Sequence, residues 1–450
     1  MKSAYSVVKH SFDAVVGITT GLFTSSRLMF RLELPGLLCG VVRLMKKVRQ
    51  VEVMELALLY FLQGTAGAIW MVPLSNVLDA HGLHQIRSFA FATIALAAFF
   101  SPLFFGSMAD RHLSPVRVLR WLAVATTVAI VLVSASIQCH ANRWLVLAFI
   151  QLYALCYTPI SSISATVIFE RLSNARQQFG RIRSMFTLGW LAGCMLVSVL
   201  NMDASVLACY AGAAVWLSVA LATLFLPAIP APVSAMHLSW RERLGLDALG
   251  LLKNRDHRVV FLTTMLLCIP LAAFYPHTPA HLRQIGFQRT SAWMGLGQVS
   301  EMVAMFSVGW LLLRWRLKWI FLAGLGFSVL RFVFCALNSK AWLLAGVALH
   351  GLSYTLIFVT AQIYLDQRVD PSWRARAQAL MSLLNSGIGN LTGYLVSGFW
   401  LDCCTSPAGT RWPLFWSGMA VMSGAVAIYF VTAYQGRKLG LERPATERGV

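Results

Sequence analysis

Acid is scarce in this sequence: 17 Asp and Glu stand against 37 Lys and Arg, and only 12% of its 450 residues are charged. Together with 58% hydrophobic residues, that scarcity does not suit a water-soluble chain. No nucleophile–base pair, phosphate-cradling glycine loop or ligand cluster at metal spacing is present, so the usual signs of an enzyme or a cofactor site are missing. The nine cysteines form no framework. Cys156, Cys194, Cys268 and Cys335 fall inside apolar runs and serve there as small apolar side chains. Cys139, Cys403 and Cys404 fall in loops, and nothing in their spacing supports a bridge or a metal. A cleaved leader is not indicated either, because no apolar N-terminal core leads to a small-residue cleavage site.

What is present is a series of apolar runs. A membrane-crossing helix needs roughly 20 mostly apolar residues. Twelve such runs can be drawn, at 52–78, 85–108, 117–138, 143–169, 183–201, 204–226, 257–282, 290–313, 318–337, 341–366, 373–402 and 411–434. They are continuous rather than alternating with period two, which favours helices over a barrel. The formal net charge of +20 is distributed unevenly. Arg87, Arg143, Arg283, Arg289, Lys340 and Arg411 are the only Lys or Arg on one set of alternate loops. Arg331 lies inside a span, and the others share the opposite side with both termini. By the positive-inside rule the termini are then cytoplasmic. The charge reads as a topology signal and an anionic-lipid contact, not as a nucleic-acid footprint.

Residues 1–50 are basic with short apolar patches, either an extension on the membrane surface or a start that is not native. Six spans (51–226) precede a polar segment at 227–256, six follow (257–434), and 435–450 form a tail. The halves echo each other. Arg181 and Arg183 precede Gly189 and Gly193, as Arg374 and Arg376 precede Gly387, Gly389 and Gly393. Six-plus-six parallel repeats around a central loop are the layout of a two-half secondary transporter.

Glu301 is the deepest acid, near the middle of the eighth span. Placing it there costs roughly 2.5–3.5 kcal/mol on insertion scales, and Gln298 shares its helical face. The residue fits either a titrating, solute-binding acid in an aqueous cavity or a structural partner for Arg331 in the ninth span. One acid and one base in neighbouring spans predict a charge pair. Arg183, Thr187 and Trp190 form one stripe on the fifth span. His350 and Tyr354 share a face of the tenth, beside Thr355. Aromatic faces with interspersed hydrogen-bonding groups suit a polar, planar solute.

Gly106-Ser107-Met108-Ala109-Asp110-Arg111 resembles the major facilitator signature G-x-x-x-D-[RK], with Leu113 where a later glycine is usual. In that reading Asp110 and Arg111 make switchable gating contacts. Phe179-Gly180-Arg181-Ile182-Arg183-Ser184-Met185-Phe186-Thr187-Leu188-Gly189-Trp190 is similar to the F-G-x-I-R-x-x-G-T-x-G-[WF] of the nucleoside:proton symporter family. Gln298-Val299-Ser300-Glu301 resembles its Q-x-x-E, and His350-Gly351-Leu352-Ser353-Tyr354 its H/Y-G-x-x-[FY]. The resemblance covers about 52–434.

It implies an all-α polytopic membrane protein of the major facilitator fold, with twelve transmembrane helices in two six-helix halves, working as a monomer without cofactor in the inner membrane. Its solutes would be a nucleoside and protons. Arg183, Thr187, Trp190, Gln298, Glu301, His350, Tyr354 and Thr355 would line the site, with Glu301 as the coupling acid. Relatives usually carry Asp where this chain has Thr355, and Phe186 replaces a small glycine. A carrier of a sugar or drug on the same fold, and a transport-incompetent sensor, stay open.

Overall fold

A computed structural model describes residues 34–111, 114–171, 175–227 and 239–436; most of the basic N-terminal stretch and of the tail lie outside them. The helices are α1 (Leu34–Met71, resumed as Leu74–Ala80), α2 (Arg87–Arg111), α3 (Pro115–Gln138), α4 (Arg143–Arg171), α5 (Ala175–Val199) and α6 (Val206–Phe225). After the central segment come α7 (Arg255–Gln284), α8 (Thr290–Arg314), α9 (Leu317–Ala336), α10 (Lys340–Arg368), α11 (Arg374–Ser382, Leu383–Gly389 and Asn390–Cys404 in succession) and α12 (Trp412–Ala433). Ten of these, all but α2 and α11, are long and apolar enough to cross a membrane among the described residues. α1 starts at Leu34, well before the boundary expected at 51.

Short polar residues start the helices where the sequence turns. Asn142 accepts from the Trp144 N–H at 2.9 Å, Ser205 from Leu207 at 3.2 Å and Asn254 from Asp256 at 3.0 Å. Each satisfies an amide the first turn leaves orphaned. Asn201 and Asn338 follow α5 and α9 with φ of 54° and 52°, the left-handed geometry asparagine tolerates as a helix stop.

Two apolar cores form. Residues from Leu56 to Leu226 make one and residues from Ala248 to Tyr434 the other, with Ala272 and Tyr394 reaching into the first and Ala68, Val72, Trp190 and Cys194 into the second. Outward-facing side chains stay apolar, as at Leu313 and Phe306, which are 88% and 77% exposed. Lipid, not water, suits such a surface.

The helices meet at glycines, and the meetings repeat along the chain. Gly189 and Gly193 of α5 lie against the backbone of α1 at Phe61 and Thr65; Gly389 and Gly393 of α11 lie against α7 at Met265 and Ile269. α1 breaks at Val72–Pro73 and α7 at Ala272–Ala273, just after Pro270. Proline removes an amide donor and opens the helix there. Without an apolar driving force inside lipid, small residues that let backbones approach hold helices together. Gly351 of α10 sits directly on the α8 backbone at Gly297 and Glu301. Gly351→Val should therefore lower the midpoint of thermal unfolding in detergent, since overpacking costs typically ~1–3 kcal/mol and backbone cannot yield. An unchanged midpoint would deny the close approach.

The central segment is tied to α11. Ser239 and Glu242 cap a short helix (Trp240–Arg243) reciprocally, with the Ser239 N–H donating to Glu242 Oε2 at 2.8 Å. Arg376 donates to Glu242 Oε1 at 3.2 Å. The Ser239 amide, then its hydroxyl, and more weakly Arg376, hold the Glu242 carboxyl below its usual range. A lowered folded value means the cap is complete above the ordinary glutamate pKa of about 4.3 and is lost as pH falls through the folded one. Amide exchange at 239–246 should quicken only on acidification past that range, and Glu242→Gln should remove the transition.

Candidate functional site

The stripe expected on the fifth span meets the tenth across an aromatic series. In α5, Trp190 is buried and lies against Phe186 at 5.9 Å between ring centroids. On its other side it meets the edge of Tyr275 in α7 at 6.0 Å. Tyr275 in turn faces His350 of α10 at 6.1 Å, and His350 lies 6.2 Å from Tyr354. An unbroken run of rings thus passes from the N-terminal to the C-terminal spans. Thr187 is buried one turn before Trp190, and Arg183 is exposed one turn earlier still.

α8 supplies the acid. Ser300 Oγ donates to Gly297 O at 2.9 Å and accepts from the Gly351 N–H at 3.1 Å. That crossing sets Glu301 beside α10, and Gln298, buried, lies on the same face. Glu301 is half-buried and makes no hydrogen bond or ion pair among the described residues, and its carboxylate keeps accessible surface. Arg183 is the cation within electrostatic reach of Glu301, and both act on the Tyr354 hydroxyl. Glu301 likewise acts on Tyr275.

Arg331 departs from expectation. It is 1% exposed, its guanidinium lies 4.7 Å from the rings of both Phe274 and Phe332, and Nη1 donates to His350 Nδ1 at 2.7 Å. The expected pairing with Glu301 is not formed among the described residues. α9 packs on α10 and α12 more than on its sequence neighbour α8, which turns Arg331 toward His350. Thr355 is 0% exposed and its hydroxyl has no partner among the described residues, so it does not join the exposed face that carries Tyr354. It opens a wide, π-helical turn, Thr355–Val359, of the kind that interrupts helices near functional sites. Asp110 and Arg111 close α2, and their side chains lie outside the described residues.

Three participants were not foreseen. Phe274 and Tyr275 follow the break in α7; aromatic residues just after a helix break were the available signal. Asp203, in the α5–α6 loop, is the third. Its Oδ1 accepts from the Ser291 N–H at 2.6 Å, from Thr290 Oγ1 at 3.2 Å and from Ser198 Oγ at 3.0 Å. Ser198 Oγ also accepts from the Ala292 N–H at 2.9 Å. A carboxylate from one set of spans thereby caps the first turn of α8 in the other. Asn76 donates to Thr290 Oγ1 at 2.9 Å and Ser75 to Pro276 O at 2.6 Å, at the same end of the bundle. A cleft of about 410 Å³ there, among Asn76, Asp79, Arg87, Arg283, Gln284 and Trp412, contains none of the expected site residues.

The family described as nucleoside H+ symporter matches residues 50–438. The chain belongs to that family. It is 30% identical over 406 residues to the putative nucleoside transporter YegT of Escherichia coli, covering 85% of this chain and 93% of that one. It is 24% identical over 408 residues to the nucleoside permease NupG of the same organism, covering 85% and 96%. A crystal structure of NupG, a point mutant, superposes with a TM-score of 0.78 at 24% identity, over 85% of this chain and all of that one. The all-helical fold is accordingly shared with NupG. The family is one of transporters.

Proposed function

We propose that this protein is a proton-coupled nucleoside importer of the inner membrane, working by alternating access. The observation that carries the reading is the ring series Trp190–Tyr275–His350–Tyr354 beside Glu301, which has no partner among the described residues. Flat rings accept a nucleobase, while Arg183, Thr187, Gln298 and Glu301 offer donors and acceptors to base and ribose. Nucleoside specificity is also what the printed names of YegT, NupG and the xanthosine permease (23% identical) state for those proteins.

The reading carries the architecture with it. Twelve spans form two six-helix halves, 51–226 and 257–434, of the major facilitator fold, joined by 227–256. α2 and α11 complete the count, and the glycine contacts of α5 on α1 and of α11 on α7 support the repeat. Both termini face the cytoplasm, and the monomer is the working unit. With that orientation the bonds at Asp203, Asn76 and Ser75 close the outer side, and the cavity opens inward. Protonation of Glu301 removes a charge from the cavity and changes which state is favoured.

Purified protein in liposomes with an acidic exterior should accumulate labelled uridine or adenosine above the external level and lose this when a protonophore collapses the gradient. Uptake that never exceeds equilibration would refute proton coupling, and failure of nucleosides to compete within a panel of nucleobases, sugars and drugs would refute the solute class.

A further inference from the structure

Arg331 has no acidic partner among the described residues, yet it is one of the largest side chains buried completely. What it does have is an imidazole. A guanidinium offers donors only, so the 2.7 Å contact makes His350 Nδ1 the acceptor and puts the ring proton on Nε2. The ring cannot turn to escape that assignment. Phe274 stacks on it at 3.9 Å and 11°, and Tyr275 meets it edge-on at 82°. Gly297 of α8 stands so close that a Cβ there would lie 3.3 Å from Cδ2. Among the described residues the Nε2 atom has no partner, and it keeps accessible surface.

We propose that Arg331 is a positioning residue that locks His350 as the Nε2–H tautomer. The cavity then presents one fixed, unpaired donor, and it favours bases offering a carbonyl oxygen at that point over bases offering an amino group. Uracil-type and 6-oxopurine nucleosides are accepted, whereas cytosine- and adenine-type nucleosides set donor against donor and leave both unpaired. The inference rests on the nucleoside reading above and adds selectivity to it.

The test is competition against labelled uridine in proteoliposomes, with two matched pairs: uridine against cytidine, and inosine against adenosine. Wild type should prefer the oxo member by about tenfold or more. Arg331→Met frees Nδ1, lets Nε2 accept as well as donate, and should bring both ratios close to one. Arg331→Lys restores a donor and should recover them. A purely structural role for Arg331 would weaken both members alike and leave the ratios where they were, which would overturn the proposal. Should Arg331→Met fail to fold, His350→Gln, whose amide can turn either face to the solute, must also erase the preference. Nitrogen-15 spectra of wild-type protein should show His350 protonated at Nε2; protonation at Nδ1 would overturn the lock directly. Equal competition by oxo and amino members in wild type overturns the selectivity alone, whereas no competition by any of the four overturns the nucleoside reading beneath it.

Discussion

Replacing Glu301 by Gln should reduce proton-driven accumulation to about the level of equilibration, because the amide keeps the hydrogen-bonding outline and loses the carboxyl beside the rings. Exchange of internal for external nucleoside should persist, since it requires the two conformations and the binding face but no net proton movement. The reasoning is geometric. Glu301 is held by the α8–α10 crossing at Gly297, Ser300 and Gly351, lies in reach of Arg183, and is not consumed by an ion pair with Arg331. A carboxylate locked to a guanidinium could not exchange its proton as the cavity changes sides; one that is wet and unpaired can. The measurement is the ratio of internal to external uridine under an imposed pH gradient, run beside counterflow at equal pH. Accumulation that survives in Glu301→Gln would move coupling to another group.

The second large effect is expected at Asp203. Its carboxylate receives the Ser291 amide and the Thr290 and Ser198 hydroxyls, and in the proposed orientation all of these part when the outer side opens. Loss of a helix cap costs about 0.5–2 kcal/mol, and a charged acceptor adds to that. Each 1.4 kcal/mol is about tenfold in the balance of states. Asp203→Ala should therefore shift the protein toward the outward-open state by roughly ten- to a hundredfold. Met294, 2% exposed behind the latch, is a suitable reporter. With the exposed Cys139 and Cys403 replaced by Ser, an impermeant maleimide should label Met294→Cys much faster when Asp203 is Ala. Equal labelling rates would show that the cap does not hold the gate.

How far the site could be read in the sequence depended on the kind of signal each residue left. Glu301 was conspicuous because an acid within a run of apolar residues has few bland explanations. Arg183, Thr187 and Trp190 share a stripe by helical period alone, and His350 with Tyr354 likewise. Tyr275 was invisible for the opposite reason: one more aromatic in a membrane helix is ordinary, and only the break at Ala272–Ala273 turns it between Trp190 and His350. Thr355 stands directly after Tyr354 and matches a site position of the family, yet it is fully buried at the start of a widened turn. Periodicity assumes 3.6 residues per turn, and a π-helical insertion defeats that assumption locally.

By itself the sequence determined the polytopic, helical character and which loops carry the positive charge, since lipid imposes its demands residue by residue along the chain. It also determined that an acid must be tolerated in the eighth span. Only the tertiary structure decided what those side chains do. Arg331 met a histidine rather than a glutamate, Asp203 reached across to cap a helix far along the chain, and the rings of α5, α7 and α10 lined up. Such pairings depend on which helices become neighbours and how each is rotated. Helix contacts between glycines and backbone set both, through a geometry that no local pattern of residues encodes.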